Sequence, residues 1–248
     1  AHLGVMEVLS EAGIEFDVVA GTSIGALIGA VYISGELEAF EDFARGINFS
    51  KLPAILGPTW PSRGLFTVKY LEKLIRQYVK VEKIEELRKP FACVSVDLRR
   101  AETVTFTKGD ILTAIRASIS IPGLFTPVEH DGRLLVDGGV LESLPVDAAR
   151  SLGSDFVIAV DLLSDLGNAD NPSLNEKMSI VDVIQRSSVI TQRKMNEYRF
   201  RDDPPDIVIA PPVSGVKVMD IHNGESIIET VRAKAREMLP AILEKLDG

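Results

Sequence analysis

Hydrophobic and polar positions along the chain follow two alternating periods. From His2 to Ala12, the residues Leu3, Val5, Met6, Val8, Leu9 and Ala12 recur at helical spacing, and Gly13 predicts the stop. The run FDVVA, Phe16 to Ala20, is short and β-branched and predicts a buried strand. The apolar stretch from Ile24 to Ser34 predicts a helix ended by Gly35, and LEAFEDFARGI predicts the next one. Residues 48–66 hold three prolines and two glycines, which predicts a long loop. Its Leu52, Ile55, Leu56, Trp60, Leu65 and Phe66 fold over the core or form an apolar entrance. Val68, Leu71, Leu74, Ile75 and Tyr78 then share one helix face.

The second half continues the alternation. PFACVSVDL and ETVTFT predict two strands about the charged turn Arg99-Arg100, and DILTAIRAS predicts a helix after them. PVEHDGRLLVDGG carries Asp131-Gly132 between two β-prone runs, the signal of a hairpin. A helix over Val146 to Leu152, the strand FVIAVDLL, a polar loop from Asn168 to Asn175 and a long helix to Phe200 follow. The strand DIVIA and a last helix from Gly224 to Leu246 complete the chain. Strands that are apolar throughout, interleaved with helices, predict an α/β fold. Three layers are expected, with helices on both faces of a mostly parallel central sheet, as one domain over residues 1–248.

Composition narrows the partners. A net charge of −9 and a pI near 5.0 argue against nucleic acid, which needs clustered Lys and Arg. The same acidity disfavours electrostatic docking on anionic lipid but leaves a transient apolar contact with a membrane surface open. Cys93 is the single cysteine, so no internal disulfide forms, and a reducing, cytoplasmic compartment is expected. No uninterrupted apolar run approaches the ~18 residues of a spanning helix. No signal-peptide pattern is read in the chain, which opens AHLGV without an initiator Met and is expected to be trimmed. Spacings typical of metal or phosphate sites do not occur, so no cofactor is expected.

Two motifs carry chemistry. Ala20 to Ala26, AGTSIGA, sets Ser23 between Gly21 and Gly25 where a strand is predicted to become a helix. Gly-x-Ser-x-Gly in that context describes a nucleophile elbow. The serine backbone is strained, and the glycines remove side chains that would collide across the turn. The hydroxyl then stands at a helix N-terminus, with the N–H of Ile24 as one oxyanion donor. A plain glycine-rich turn is the competing reading, and such a pentapeptide arises by chance in about one chain in ten. RLLVDGG places Asp137 at the end of an apolar strand, before Gly138 and Gly139, where a carboxylate can accept a serine proton. A simple turn aspartate is the competing reading there. Together the motifs are expected by chance in about one chain in a hundred, so the pair carries the inference.

At these residues the chain resembles the patatin-like phospholipase family, which joins a helix-then-strand lead to Gly-x-Ser-x-Gly and later has Asp-Gly-[Gly/Ala]. The lead here is AHLGVMEVLSEAGIEFDVVAGTSIGALIGAVY and the later block is DGGVLESLPVDAAR. Between them, AIRASISIPGLFTPV is similar to the family's Ala-Ser-x-x-x-Pro-x-x-Phe-x-Pro segment. The resemblance runs from Ala1 to about Val160. It implies a Ser23–Asp137 dyad, an acyl-serine intermediate, a lipid or lysophospholipid ester as substrate and a patatin-type α/β/α fold. It also places the family's glycine-rich oxyanion loop and a strand upstream of Ala1, so the domain is expected to lack its N-terminal part. Ser143 stands where the family often has an asparagine before Leu-Pro.

Histidine catalysis is the mechanistic rival, with His222 or His130 as base of a Ser-Asp/Glu-His triad. The α/β-hydrolase fold that carries such a triad places several strands before its nucleophile, whereas one helix and one strand are read before Ser23. His130 reads as a solvated hairpin residue, His222 as part of a helix N-terminal turn, and His2 as packing. A patatin-fold regulator or lipid-binding protein without turnover, and a soluble carboxylesterase, are the alternative functions.

Overall fold

The computed structural model describes residues 1–46, 69–164, 180–213 and 224–247. Its architecture is built around the strand Phe91–Asp97, all seven of whose residues are buried. In chain order this is β2. The strand before it, β1 (Val19–Thr22), runs parallel along one edge, from Val19 opposite Phe91 to Thr22 opposite Val94. β3 (Glu102–Phe106) returns antiparallel along the other edge. β4 (Val128–His130) and β5 (Arg133–Asp137) form the expected hairpin, and β5 pairs antiparallel with β2 from Ser95 to Asp97. Asp131 and Gly132 turn it with φ of 48° and 72°, the left-handed pair that an Asp-Gly turn supplies.

Successive residues of a strand point to opposite faces, and β2 uses both. Phe91 and Cys93 enter the main core with α2 (Ile24–Ile33) and α5 (Ile111–Ser118), among Leu27, Val31 and Ile115. α1 (His2–Glu11), α3 (Leu37–Arg45) and α4 (Lys69–Tyr78) add Leu3, Phe40 and Leu74 to that side. Ala92 and Val94 face the other way, onto Ala148 of α6 (Val146–Ser151). Each fully buried Leu, Ile or Phe contributes about 1.5–3 kcal/mol, so this double-sided strand anchors the fold.

A second, two-stranded parallel sheet joins β6 (Ile158–Val160) to β7 (Ile207–Ile209). Its core is shared with α1 and α8 (Gly224–Asp247) through Val5, Val8, Leu9, Ile209 and Val231. Arg232 of α8 pairs with Glu7 of α1 and Glu41 of α3, tying the three helices together. α7 (Ile180–Arg199) is the long helix expected before β7.

The fold is therefore the layered α/β class that the periodicity predicts. The five-stranded sheet is mixed, with β1/β2 parallel and the three ladders made by β3, β4 and β5 antiparallel, while the β6/β7 sheet is parallel. Pairing among the described residues is thus less parallel than the apolar runs imply, because both hairpins feed into the same sheet. The expected loops over 48–66 and 168–175, and His222, lie outside the described residues.

Candidate active site

Sharing one edge of β2 brings the ends of β1 and β5 face to face. Thr22 pairs with Val94 and Asp137 with the next residue, Ser95, so the two C-terminal ends meet and each chain must leave the sheet there. At Ser23 the chain turns into α2 with φ 55° and ψ −127°. At Gly138 it enters a single 3-10 turn, Gly138–Val140. A non-glycine residue held at such a positive φ costs about 1–3 kcal/mol, and surrounding contacts must hold it. Thr22 supplies one of these, its hydroxyl donating to the Glu142 carbonyl at 2.8 Å.

The encounter brings the Ser23 hydroxyl near the Asp137 carboxylate, whose charged form it favours. The Gly139 N–H also donates to Asp137 Oδ1, at 2.7 Å. Asp137 is only 6 % exposed. Burial pushes its carboxyl up to about 6, and the hydrogen bonds from Ser23 and Gly139 oppose that rise. A carboxylate near 6 is a better base at neutral pH than the free side chain near ~3.9, because its proton affinity approaches the working pH.

The glycines divide into those the packing demands and one it does not. A methyl at Gly21 would lie 2.5 Å from backbone atoms of Ala26, and one at Gly138 would lie 2.4 Å from the Val94 carbonyl oxygen. At Gly139 it would come within 3.0 Å of Asp137 Oδ1 and 3.2 Å of Gln192 Oε1. Gly25 corrects the expectation from the motif. Its nearest neighbour would be His2 Nε2 at 3.5 Å, an ordinary contact. Gly25 borders a cavity of about 160 Å³ that also reaches Gly21, Val19 and Ile158, which is why a methyl has room.

Ile24 opens α2, a position whose N–H has no acceptor within the helix, and its side chain is exposed beside Ser23. His2 is half-buried beside Gly25, and desolvation pushes its pKa down to about 3. His130 sits in the β4–β5 hairpin next to Asp131 and against the Phe106 ring. Cys93 is buried, and desolvation pushes its thiol up to about 12. Among the described residues no group of three or more His, Cys, Asp or Glu side chains is placed to hold a metal ion. Nor, among them, is any helix long and apolar enough to cross a membrane.

Several contributors to the site escaped the sequence reading. The Ser23 N–H donates to the Ser118 hydroxyl at 2.8 Å, and the Asp137 N–H donates to the Ser120 carbonyl at 3.0 Å. α7 closes over the Asp-Gly-Gly turn. Gln192 stands beside Gly139, Asn196 accepts from the Ser143 hydroxyl at 3.0 Å, and Arg199 pairs with the buried Glu142 at 3.3 Å. Ser143, where the family often has asparagine, therefore still makes a polar contact, to α7. The Ala-Ser-x-x-x-Pro segment was the available signal for Ser118; nothing local marked Gln192, Asn196 or Arg199.

The layered α/β fold thus sets a serine on a strained strand-to-helix turn beside a buried carboxylate. The chain belongs to the patatin-like phospholipase family, whose model matches residues 1–150. An uncharacterized NTE family protein of Mycobacterium tuberculosis is 37 % identical over 162 residues, covering 65 % of this chain and 45 % of that protein. Human patatin-like phospholipase domain-containing protein 6 is 27 % identical over 264 residues, covering 92 % of this chain and 18 % of its own length. The chain thus spans less than half the length of these relatives. Among solved structures, VipD from Legionella pneumophila matches with a TM-score of 0.53 over 97 % of this chain and 64 % of VipD. At 14 % identity that likeness shows the fold alone.

Proposed function

We propose that the chain is a lipid acyl hydrolase using Ser23 as nucleophile and Asp137 as its base. The observation that carries this reading is a strained elbow serine set beside a buried carboxylate where the ends of β1 and β5 abut on β2. Membership in a family of lipid-hydrolysing enzymes supports the substrate class, a lipid or lysophospholipid ester.

The chemistry follows from the placement. Asp137, ionised above pH 6, takes the Ser23 proton as Oγ adds to the ester carbonyl. The oxyanion forms at the start of α2, where the Ile24 N–H and the positive end of the helix favour it. Collapse expels the alcohol, which takes the proton back from Asp137 and leaves an acyl-serine. Water then attacks the acyl carbon, giving its proton to Asp137, which passes it to Ser23 Oγ as the C–Oγ bond breaks and the fatty acid leaves.

Hydrolysis of p-nitrophenyl acyl esters and of a lysophospholipid by the full-length protein, with Ser23→Ala beside it, tests the reading. Rates on micellar against monomeric esters separate a lipase from a soluble carboxylesterase. Because the base must be ionised, the rate is expected to fall about tenfold per pH unit below a limb near 6. That limb lies close to the ordinary histidine range, so its position alone does not assign it. His130→Gln and His222→Gln are expected to leave it in place. Its loss in either variant would move the base to histidine.

A further inference from the structure

The β1–β2 ladder ends at the pair Thr22–Val94, just where the elbow turns the chain away. The turn leaves the Ser23 N–H and the Val94 carbonyl without one another. Ser118, the last residue of α5 and fully buried, fills that gap. Its hydroxyl accepts from the Ser23 N–H at 2.8 Å and donates its own proton to the Val94 carbonyl at 2.6 Å. One hydroxyl thus completes the ladder that the elbow interrupts. Two residues on, the Ser120 carbonyl accepts the Asp137 N–H at 3.0 Å. The Ser120 side chain is itself tied to the Arg116 and Thr126 carbonyls, at 2.8 and 3.2 Å. A short segment after α5 therefore grips the backbone of both halves of the dyad.

We infer that Ser118 is a positioning residue for the hydrolytic reaction: it holds the strained Ser23 backbone at the register where the hydroxyl meets Asp137, without touching substrate. This inference rests on the reading of Ser23 as nucleophile. Its physical basis is that Ser23 holds an unfavourable φ only while its N–H is satisfied. Without the Ser118 hydroxyl, a half-buried N–H and a buried carbonyl lose their partner together, and relaxing the turn to reach another acceptor swings Oγ away from Asp137. Substrate contacts at the open side of Ser23 are untouched, so the loss falls on the chemical step.

The test compares the native full-length protein with Ser118→Ala, Ser118→Thr and Ser118→Val, on a p-nitrophenyl ester and by labelling with a fluorophosphonate. Threonine and valine bring the same bulk, and only threonine keeps the hydroxyl, so that pair separates hydrogen bonding from packing. Rates are normalised to the folded fraction from thermal melting. Ser118→Ala and Ser118→Val are expected to lower kcat and the labelling rate about 10- to 100-fold, with KM within about twofold. Ser118→Thr is expected to recover most of the difference from valine. Equal rates for threonine and valine, or a native rate in folded Ser118→Ala, would overturn the inference while leaving Ser23 as nucleophile. A native protein that takes no label on Ser23 would overturn the nucleophile reading, and this inference with it.

Discussion

Asparagine at position 137 is expected to abolish hydrolysis and, at pH 8, to raise the melting temperature. Both effects come from one burial. Desolvation is the largest influence on Asp137, and it lifts the carboxyl from 3.8 to about 6 despite hydrogen bonds from Ser23 and Gly139. Below pH 3.8 the group is protonated in both folded and unfolded chains and costs nothing. Between there and about 6 the folded protein keeps a proton that the unfolded chain releases, so stability falls as pH rises through that window. Above 6 the full cost is present, on the order of 2–3 kcal/mol at about 1.4 kcal/mol per pH unit. Asparagine avoids the charge and keeps an Oδ1 to accept the Gly139 N–H. The expected gain is therefore about 1–3 kcal/mol, or several degrees at ~2–4 °C per kcal/mol. Loss of the base lowers the rate about a thousandfold or more. Melting curves of both proteins at pH 4, 6 and 8 check the sign: the gap opens as pH rises. A variant that melts lower than native at pH 8 would contradict the assigned burial cost.

Gly138→Ala is expected to disrupt the site through packing alone. The added methyl would lie 2.4 Å from the Val94 oxygen, 2.8 Å from its carbonyl carbon and 3.0 Å from Thr22 Cγ2. All three neighbours belong to the seam where β1 and β5 abut β2, and the nearest are backbone atoms that cannot rotate aside. The 3-10 turn must lift off β2 and carry Asp137 with it. Overpacking of this kind costs about 1–3 kcal/mol in stability. A displacement near 1 Å between nucleophile and base lowers the rate about a hundredfold. Gly25→Ala is the matched control, since its methyl meets only His2 Nε2 at 3.5 Å. Circular-dichroism melts and ester hydrolysis of the pair should part clearly, with Gly25→Ala close to native in stability. A Gly138→Ala protein that matches native in both would mean that the seam yields freely.

Much of this arrangement was legible along the chain because it is local. The spacing of Leu3, Val5, Val8 and Leu9 belongs to an observed helix, and Asp131-Gly132 turns an observed hairpin. Ser23 and Asp137 stand at the strand ends where their glycines suggested. Edges were less exact: β1 runs from Val19 to Thr22, although the apolar run starts at Phe16. What local pattern does not carry is pairing at a distance. That β1 and β5 share one edge of β2 depends on pairings 72 residues apart for β1 and 38 to 42 apart for β5, and that sharing brings serine to aspartate. The proton affinity of Asp137 was likewise invisible, because it depends on burial and not on neighbours in sequence. Gly25 shows the opposite failure. The motif treats both elbow glycines alike, whereas the packing crowds only Gly21.

The carboxylate mechanism also reorders the roles of the histidines. His2 lies half-buried close to the elbow, and desolvation lowers its pKa to about 3, which makes it a weak base there. His130 belongs to the hairpin turn, in contact with Asp131 and Phe106. Among the described groups, Asp137 is the one that combines contact with Ser23 and a pKa near neutrality.

The most direct test of the central claim is to react the full-length protein with a long-chain fluorophosphonate and locate the adduct by peptide mass mapping. One label per folded chain on Ser23 is expected, forming more slowly below pH 6 and at least about a hundredfold more slowly in Asp137→Asn. A label on another residue, or an undiminished rate in Asp137→Asn, would contradict a serine activated by that carboxylate.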